Sequence, residues 1–333
     1  MFEYILIAIA EFLVLNIPFV ILAILSDKQY NKRSDERYFL NADLFQGLRY
    51  QEISFLNIQG QNLKGYKYFK DTDYKAVILL IPGIKNNHTH YLPEIDYFAS
   101  RGFLVFAFDP AATGLSEGKG SKGLLQIPYD AKSALNYIKQ DPELNNKPLF
   151  LWGFSNGAYA ALALANAPKV LAVASLSAFD DVNKMTADYA ALKFGKIAKI
   201  IYPYCVIFNR LKYGKNPFGS ASSNLKKCSK PVFLTHGTDD KVVPYKNFLR
   251  LKKYNSRPQS VSLSIKGGDH WIRYAPKAHR LKIKLKARLE NGQGDMENLK
   301  RYYAVVCKKI NCGLIDQIAD FFQNILKTNL QFT

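Results

Sequence analysis

The sequence predicts an α/β fold in which a mostly parallel central sheet is flanked by helices. Short, nearly continuous apolar runs are typical of strands that are buried on both faces, as in a parallel sheet covered by helices. Helix-length segments separate these runs, which favours repeated strand-helix-strand units. The runs that predict the strands are Ala76 to Ile81, Phe103 to Phe108, Pro148 to Trp152, Val170 to Leu176, Pro231 to Thr235 and Ser260 to Ile265.

Other elements are expected before, between and after these strands. Tyr50 to Phe55 and Gly65 to Phe69, separated by turn-forming residues at 59–62, predict an opening antiparallel hairpin. Residues 180–230 show helix-like apolar spacing without a strand and are too long for a plain connection, so we expect a helical cap there. After Gly313, apolar residues at 3.6-residue spacing predict the last helix: Leu314, Ile318, Phe321, Phe322 and Ile325.

The N-terminal segment predicts a transmembrane helix. Tyr4 to Leu25 is 22 residues long and apolar except for Glu11, Asn16 and Pro18, which is the length that spans a bilayer. A cleaved signal peptide is the alternative, but the basic start and the small-residue cleavage site are missing. The positive-inside bias predicts a single-pass protein whose large domain faces the cytoplasm, because four cations follow the run: Lys28, Lys32, Arg33 and Arg37.

These patterns give a domain organisation of an anchor at 1–26, a linker at 27–48 and one folded domain at 49–333. Within that domain we expect the cap at 180–230 and a basic insertion at 273–312, before the final helix. Cys205, Cys228, Cys307 and Cys312 are too scattered for a disulfide framework, so four free thiols are expected.

The net charge of +19 is concentrated in one part of the chain. Residues 180–333 carry 29 basic and 11 acidic side chains, whereas residues 1–179 are close to neutral. Nucleic acid is not expected as a partner, because no recognised binding module accompanies the charge. The stretch Arg280 to Arg288 alternates cations with aliphatic residues, and it either lines an anionic membrane surface or forms an exposed strand or helix face.

The motif Gly153-Phe154-Ser155-Asn156-Gly157 is the strongest sign of function in the sequence. It follows a predicted strand and precedes a helix of small residues. A serine on a tight strand-to-helix turn needs small neighbours, because its backbone is strained and the flanking segments come close. Its hydroxyl group then projects above the sheet at the positive end of the helix. Ser155 is therefore the candidate nucleophile.

A serine nucleophile needs a base and a carboxylate to orient that base. His270 follows the last predicted strand through Gly267-Gly268, at the sheet edge where α/β proteins hold their ligands. His236 ends the preceding strand and is the alternative base, although a packing or turn-capping role is expected for it. Asp240, on the turn after that strand, is the candidate for orienting His270, and Asp239 is expected to cap the turn.

With these residues in place, the sequence resembles the α/β-hydrolase superfamily over about residues 50–330. The order Ser155, Asp240, His270 is similar to the family's order of nucleophile, acid and base. Asp109 to Gly118 resembles another family loop, in which Asp109 and Ser116 are expected to pack the loop. Within the superfamily the chain resembles Bem46-like and serine-aminopeptidase-like hydrolases. The resemblance implies the α/β-hydrolase fold and a Ser-His-Asp triad.

The resemblance also implies an oxyanion hole made from two backbone N–H groups, those of Asn156 and Ile84. Ile84 follows Pro82-Gly83 on the loop after the third strand. His88 and His90 lie on the same loop, where they either contact substrate or are exposed to solvent. No metal and no cofactor is expected.

The predicted function is a membrane-anchored serine hydrolase that cleaves a carboxylic ester or thioester through an acyl-enzyme. The cap carries 10 basic and 3 acidic residues. Together with the predicted anchor, this charge favours a small-molecule or lipid-like acyl substrate, an ester or thioester of a lipid-like or anionic acyl compound. Two alternatives remain open: a serine peptidase or aminopeptidase with the same triad, and a catalytically silent membrane-tethered binding protein.

Overall fold

Eight strands form a single sheet in the computed structural model, which describes residues 2–34, 40–195 and 198–330. Each predicted strand is confirmed, and its ends differ from the prediction by three residues or fewer. The strands are β1 (Arg49–Leu56), β2 (Asn62–Phe69), β3 (Ala76–Ile81), β4 (Phe103–Phe108), β5 (Leu149–Phe154), β6 (Val170–Leu176), β7 (Val232–Gly237) and β8 (Val261–Ile265).

The strand order in the sheet is β1-β2-β4-β3-β5-β6-β7-β8. The first two strands form the expected antiparallel hairpin, β2 pairs antiparallel with β4, and all strands from β3 onward run parallel. Every residue of β3, β4, β5 and β7 is buried, which explains their continuous apolar sequences. The parallel strands therefore bring their carboxyl ends to one edge of the sheet.

Helices cover both faces of the sheet and bury two separate apolar layers. One layer includes α2 (Leu92–Ser100), α9 (Ala278–Glu290), α10 (Met296–Cys307) and α11 (Cys312–Leu330). The other includes α3 (Gln126–Gln140), α4 (Asn156–Ala163) and α8 (Lys246–Lys252). The basic stretch Arg280 to Arg288 lies on α9, and its Leu285 packs into the first layer.

Three helices connect β6 to β7: α5 (Val182–Phe194), α6 (Ala198–Tyr213) and α7 (Ala221–Lys227). They lie where the sequence predicts the cap, and we use that name for residues 180–230. Ala221 and Leu225 of α7 pack into the second apolar layer, beside α4 and α8. The cap is thus joined to the sheet at the carboxyl edge of β6.

The N-terminal segment corrects the prediction of a membrane anchor. It forms α1 (Phe2–Asn31), but among the described residues no helix is long and apolar enough to cross a membrane. The predicted single-pass membrane protein, with its domain facing the cytoplasm and a membrane as partner, is therefore wrong. One of the four cations behind that orientation, Arg37, lies outside the described residues.

One face of α1 packs against protein, while Val14, Ile17 and Leu25 on this helix stay exposed. The ring of Phe19 stacks on Tyr204 of α6 with 5.4 Å between the ring centroids, and the Tyr204 hydroxyl group contacts Asn16. Near the end of α1, the buried Asp27 carboxylate contacts α6 as well. An apolar helix that packs on another helix and one that spans a bilayer have similar sequences, so composition alone did not separate them.

Phe322 on α11 offers a test of the first apolar layer. Its side chain is fully buried, and its ring stacks on that of Phe150 in β5 with 4.6 Å between centroids. We expect Phe322→Ala to lower the free energy of unfolding by about 3–5 kcal/mol, because it leaves a cavity between helix and sheet. Urea unfolding measures this loss. The control Val305→Ala, at an exposed position of α10, should stay within about 0.5 kcal/mol of the parent. Equal effects of the two substitutions would contradict the packing described.

Candidate active site

Ser155 lies on the turn between β5 and α4 in a strained backbone conformation, with φ 56° and ψ −116°. Glycines on both sides make this turn sterically possible. A Cβ atom on Gly153 would lie 2.2 Å from the carbonyl oxygen of Gly157, and one on Gly157 would lie 2.0 Å from that of Ile81. Both positions thus exclude any side chain, which is the physical basis of the motif read from the sequence.

His270 lies next to Ser155, on the loop that follows β8. Its Nε2 atom is 3.0 Å from the Ser155 Oγ atom, and both side chains are buried. The imidazole ring packs between the rings of Phe154 and Trp271, at centroid distances of 5.0 and 5.3 Å. These contacts hold the ring in one orientation toward the serine.

Asp240 binds the other ring nitrogen of His270. The distance from its Oδ2 atom to Nδ1 is 2.7 Å, while its Oδ1 atom accepts the backbone N–H groups of Val242 and Val243 at 2.8 and 2.7 Å. Burial alone would raise the pKa of Asp240, but hydrogen bonds from His236 and His270 outweigh it and lower this pKa to about 2. The carboxylate is therefore ionised near neutral pH, so Nδ1 of His270 carries a hydrogen and Nε2 is free to accept one.

His236 supports Asp240 and does not contact Ser155. Its Nε2 atom lies 2.9 Å from the carbonyl oxygen of Val243 and 3.1 Å from Oδ2 of Asp240. Both neighbours are acceptors, so Nε2 must carry a hydrogen. The packing role expected for His236 is confirmed, and the structure adds that this residue contributes to the low pKa of Asp240. Asp239 accepts a hydrogen bond from the Thr238 hydroxyl group on the same turn.

The two predicted oxyanion donors lie on segments that touch each other. Asn156 is the first residue of α4, and Ile84 lies on the loop after β3, whose Ile81 and Pro82 carbonyl groups pack against Gly157. Within the described ranges, neither the N–H of Ile84 nor that of Asn156 donates a hydrogen bond to another residue. Both are thus available to an oxygen atom beside Ser155.

A buried hydrogen-bonded pair, His88 with Asp109, fixes this loop to the loop after β4. Asp109 lies 2.6 Å from Nδ1 of His88 and also accepts the backbone N–H groups of His88 and Leu115. Burial alone would raise the pKa of Asp109, but its contacts with His88 lower it. His88 and His90 are both buried, which corrects the expectation that such loop histidines face solvent. Asp109 and Ser116 do pack their loop, as predicted, through a 2.6 Å hydrogen bond.

Arg273 is a residue near the site that sequence reasoning missed. Its buried guanidinium group binds Glu94 of α2 at 2.5 Å and the carbonyl oxygen of His90 at 3.1 Å. It also lies over the ring of Tyr91, whose hydroxyl group accepts the N–H of Gly83 at 2.8 Å. The loop that carries His270 is thereby tied to the loop that carries Ile84. Only the closeness of Arg273 to His270 in sequence hinted at this role.

Comparisons with known proteins agree with this architecture. Residues 72–214 match the sequence profile of the family described as serine aminopeptidase, S33. The Salmonella typhimurium protein YfhR is 26% identical over 228 residues, which cover 66% of this chain and 74% of YfhR. A thiohydrolase of Aspergillus aculeatus is 27% identical over 121 residues, or 35% of this chain and 37% of the thiohydrolase.

Among solved structures, an esterase of Pyrococcus furiosus superposes with a TM-score of 0.57 at 21% identity, covering 79% of this chain and 97% of the esterase. At this identity the likeness establishes the fold. The sheet order, the strained serine turn and these similarities lead to the same conclusion. The chain has the α/β-hydrolase fold, and in sequence it is similar to hydrolases.

Proposed function

We propose that this protein is a serine hydrolase that cleaves a carboxylic ester or thioester through an acyl-enzyme. The observation that carries the proposal is the hydrogen-bonded chain from Ser155 through His270 to Asp240, with distances of 3.0 and 2.7 Å. A serine hydroxyl group needs such a base and such an orienting carboxylate to act as a nucleophile.

The reaction would proceed in two steps. The Ser155 Oγ atom attacks the carbonyl carbon while its proton passes to Nε2 of His270, and the N–H groups of Ile84 and Asn156 bind the resulting oxyanion. The tetrahedral intermediate then collapses, and the alcohol or thiol leaves with the proton from His270. Water, deprotonated by His270, attacks the acyl-enzyme and releases the acid. Asp240 holds the Nδ1–H group throughout and stabilises the imidazolium form.

Ser155→Ala should abolish this chemistry. We expect ester hydrolysis to fall at least about 10³-fold and labelling by a fluorophosphonate probe to disappear, because no nucleophile remains. Steady-state rates with p-nitrophenyl acetate and gel fluorescence measure the two effects. The matched control is Ser133→Ala, which removes a buried hydroxyl group that bonds only to its own helix. Retention of probe labelling in Ser155→Ala would contradict the assignment of Ser155 as the nucleophile.

Asp240→Asn tests the orienting carboxylate and its ionisation. The pKa of Asp240 is lowered to about 2, so this group stays ionised at every pH between 5 and 9. We therefore expect the substitution to reduce kcat by about 10⁴-fold across that whole range, because an amide cannot hold His270 in the same tautomer. A pH profile of kcat for both proteins measures the loss. A variant that regains parent activity at either end of the range would contradict this role.

A peptidase is the second candidate, because the matching family profile is described as serine aminopeptidase. The same residues would then attack an amide, and the leaving group would be an amine. Assays of p-nitrophenyl esters beside aminoacyl p-nitroanilides separate the two candidates. A higher kcat/KM for the amides would replace the esterase proposal with this one.

The charge of the cap supports an anionic substrate. Lys184, Arg210, Lys215, Lys226 and Lys227 are exposed on this segment, and none of them forms an ion pair with another described residue. Such a surface attracts negatively charged ligands and is screened by salt. The described cap therefore favours an ester or thioester that carries a negative charge.

Salt dependence tests this substrate class. We expect decanoyl-coenzyme A to be hydrolysed with a higher kcat/KM than the uncharged thioester decanoyl-N-acetylcysteamine at low ionic strength. Raising the salt concentration to about 0.5 M should remove most of that difference, because the Debye length falls to a few ångströms. Initial rates with both thioesters at two salt concentrations measure the effect. Equal salt dependence of the two substrates would rule out a role for the cap's charge.

A further inference from the structure

A cavity of about 740 Å³ lies between the cap, α1 and residues 122–125 of the loop after β4. Its volume falls within the range of sites that enclose small molecules. The apolar part of its wall includes Ala23 of α1, Leu124 of the loop, and Val182, Ala190 and Val206 of the cap. Helix α1, which the sequence predicts as an anchor, thus lines this cavity.

The cavity lies next to a crevice that contains one of the predicted oxyanion donors. Gly123 lines it and also lines a small crevice whose wall contains Ile84, the predicted oxyanion donor. Val182, another residue of the cavity wall, lies at the start of the cap, just after β6. The backbone N–H group of Ser155 donates a 2.8 Å hydrogen bond to the carbonyl group of Leu176, at the end of the same strand. Ser155 itself is only 5% exposed, so its hydroxyl group lies below the molecular surface.

Hydrogen bonds and an ion pair around the buried Asp27 carboxylate hold helix α1 against the cap. One carboxylate oxygen accepts hydrogen bonds from the Tyr213 hydroxyl group at 2.7 Å and from the Asn31 amide at 2.6 Å. The other oxygen pairs with the ammonium group of Lys212. Asp27, Asn31 and Tyr213 also line the cavity, so these polar contacts form part of its wall.

Hydrogen bonds also join the C-terminal end of α1 to the loop after β4. The Asn31 carbonyl group accepts the N–H of Ser121 at 2.8 Å. The Arg33 guanidinium group then donates to the carbonyl oxygens of Ser116 and Gly118, at 2.8 and 3.1 Å. The N-terminal segment therefore binds both of the other walls of the cavity, the cap and the loop after β4.

We propose that α1 closes the substrate cavity of this hydrolase and that the acyl chain of the substrate lies against Ala23, Ala190 and Val206, with Asp27 holding the wall in place. The proposal rests on the proposed function for the identity of the substrate. It concerns the binding of the acyl chain, which can also be measured without catalysis.

The first experiment fills the cavity in the full-length protein. Ala190→Phe should reduce kcat/KM for p-nitrophenyl decanoate at least tenfold and change that for p-nitrophenyl acetate less than twofold. The matched control is Ala287→Phe, at an exposed position of α9, which should change neither value. An equal loss for both esters, or no loss for the decanoate, would overturn the proposal.

The second experiment tests the contacts of Asp27 that hold α1 against the cap. Asp27→Asn should lower kcat/KM for the decanoate about tenfold while hydrolysis of the acetate stays within twofold. Asp188→Asn breaks another ion pair of the cap, that with Lys246, and should leave the ratio of the two rates unchanged. Thermal unfolding of each variant shows whether the chain still folds. A folded Asp27→Asn protein with the parent ratio would contradict the role of Asp27.

The third experiment measures binding without turnover. Cys205 is a free thiol in the cavity wall, whereas Cys312 is free and exposed. Burial and the nearby Asp27 carboxylate raise the pKa of Cys205, so alkylation by N-ethylmaleimide is followed at pH 8.5 by peptide mass spectrometry. Decanoate should slow the reaction of Cys205 at least threefold and leave that of Cys312 unchanged.

The outcomes separate the two proposals. Protection of Cys205 in a protein that hydrolyses no ester would support the cavity and refute the proposed function. Hydrolysis that depends on Ser155, without protection of Cys205 by decanoate, would refute the cavity and leave the proposed function standing.

Discussion

The candidate site depends on one backbone contact, that between Gly157 and the carbonyl groups at the end of β3. No side-chain atom fits between Gly157 and the Ile81 oxygen, so α4 lies directly against the strand end. This packing fixes the serine turn relative to the loop that carries Ile84. The positions of the Ser155 hydroxyl group and of Ile84, the proposed oxyanion donor, are thus set together by main-chain atoms that cannot adjust as a side chain does.

Buried polar pairs hold the surrounding loops in a consistent way. Arg273 with Glu94 and His88 with Asp109 each join two segments that follow or flank strands, and His236 holds Asp240 within the turn after β7. Removing one partner of a buried ion pair such as Arg273 with Glu94 typically costs about 3–5 kcal/mol, because it leaves the other uncompensated. The loops therefore have little freedom although they lack regular structure, and the sheet edge can support a geometry that needs ångström precision.

The sequence predicted what depends on local pattern. The continuous apolar runs identified six of the strands, and the turn-forming residues at 59–62 identified the hairpin of the other two. The glycines of residues 153–157 identified the strained turn because they exclude side chains locally. Asp240 and His270 followed from their positions after β7 and β8. The Arg273–Glu94 pair joins residues 179 apart, and no local pattern reveals such a contact. The burial of His88 likewise depends on Asp109, which belongs to another loop.

The predicted membrane anchor was the main error, and the contact that α1 makes instead has a consequence for the order in which the chain folds. Asp27 finds its partner Tyr213 186 residues later in the sequence. At a synthesis rate of about 5–20 residues per second, roughly 10–40 s pass before that partner leaves the ribosome. During this interval α1 lacks the surface of α6 on which Phe19 and Asp27 pack. The contact between α1 and the cap therefore forms late in the synthesis of this chain, long after α1 itself has been made.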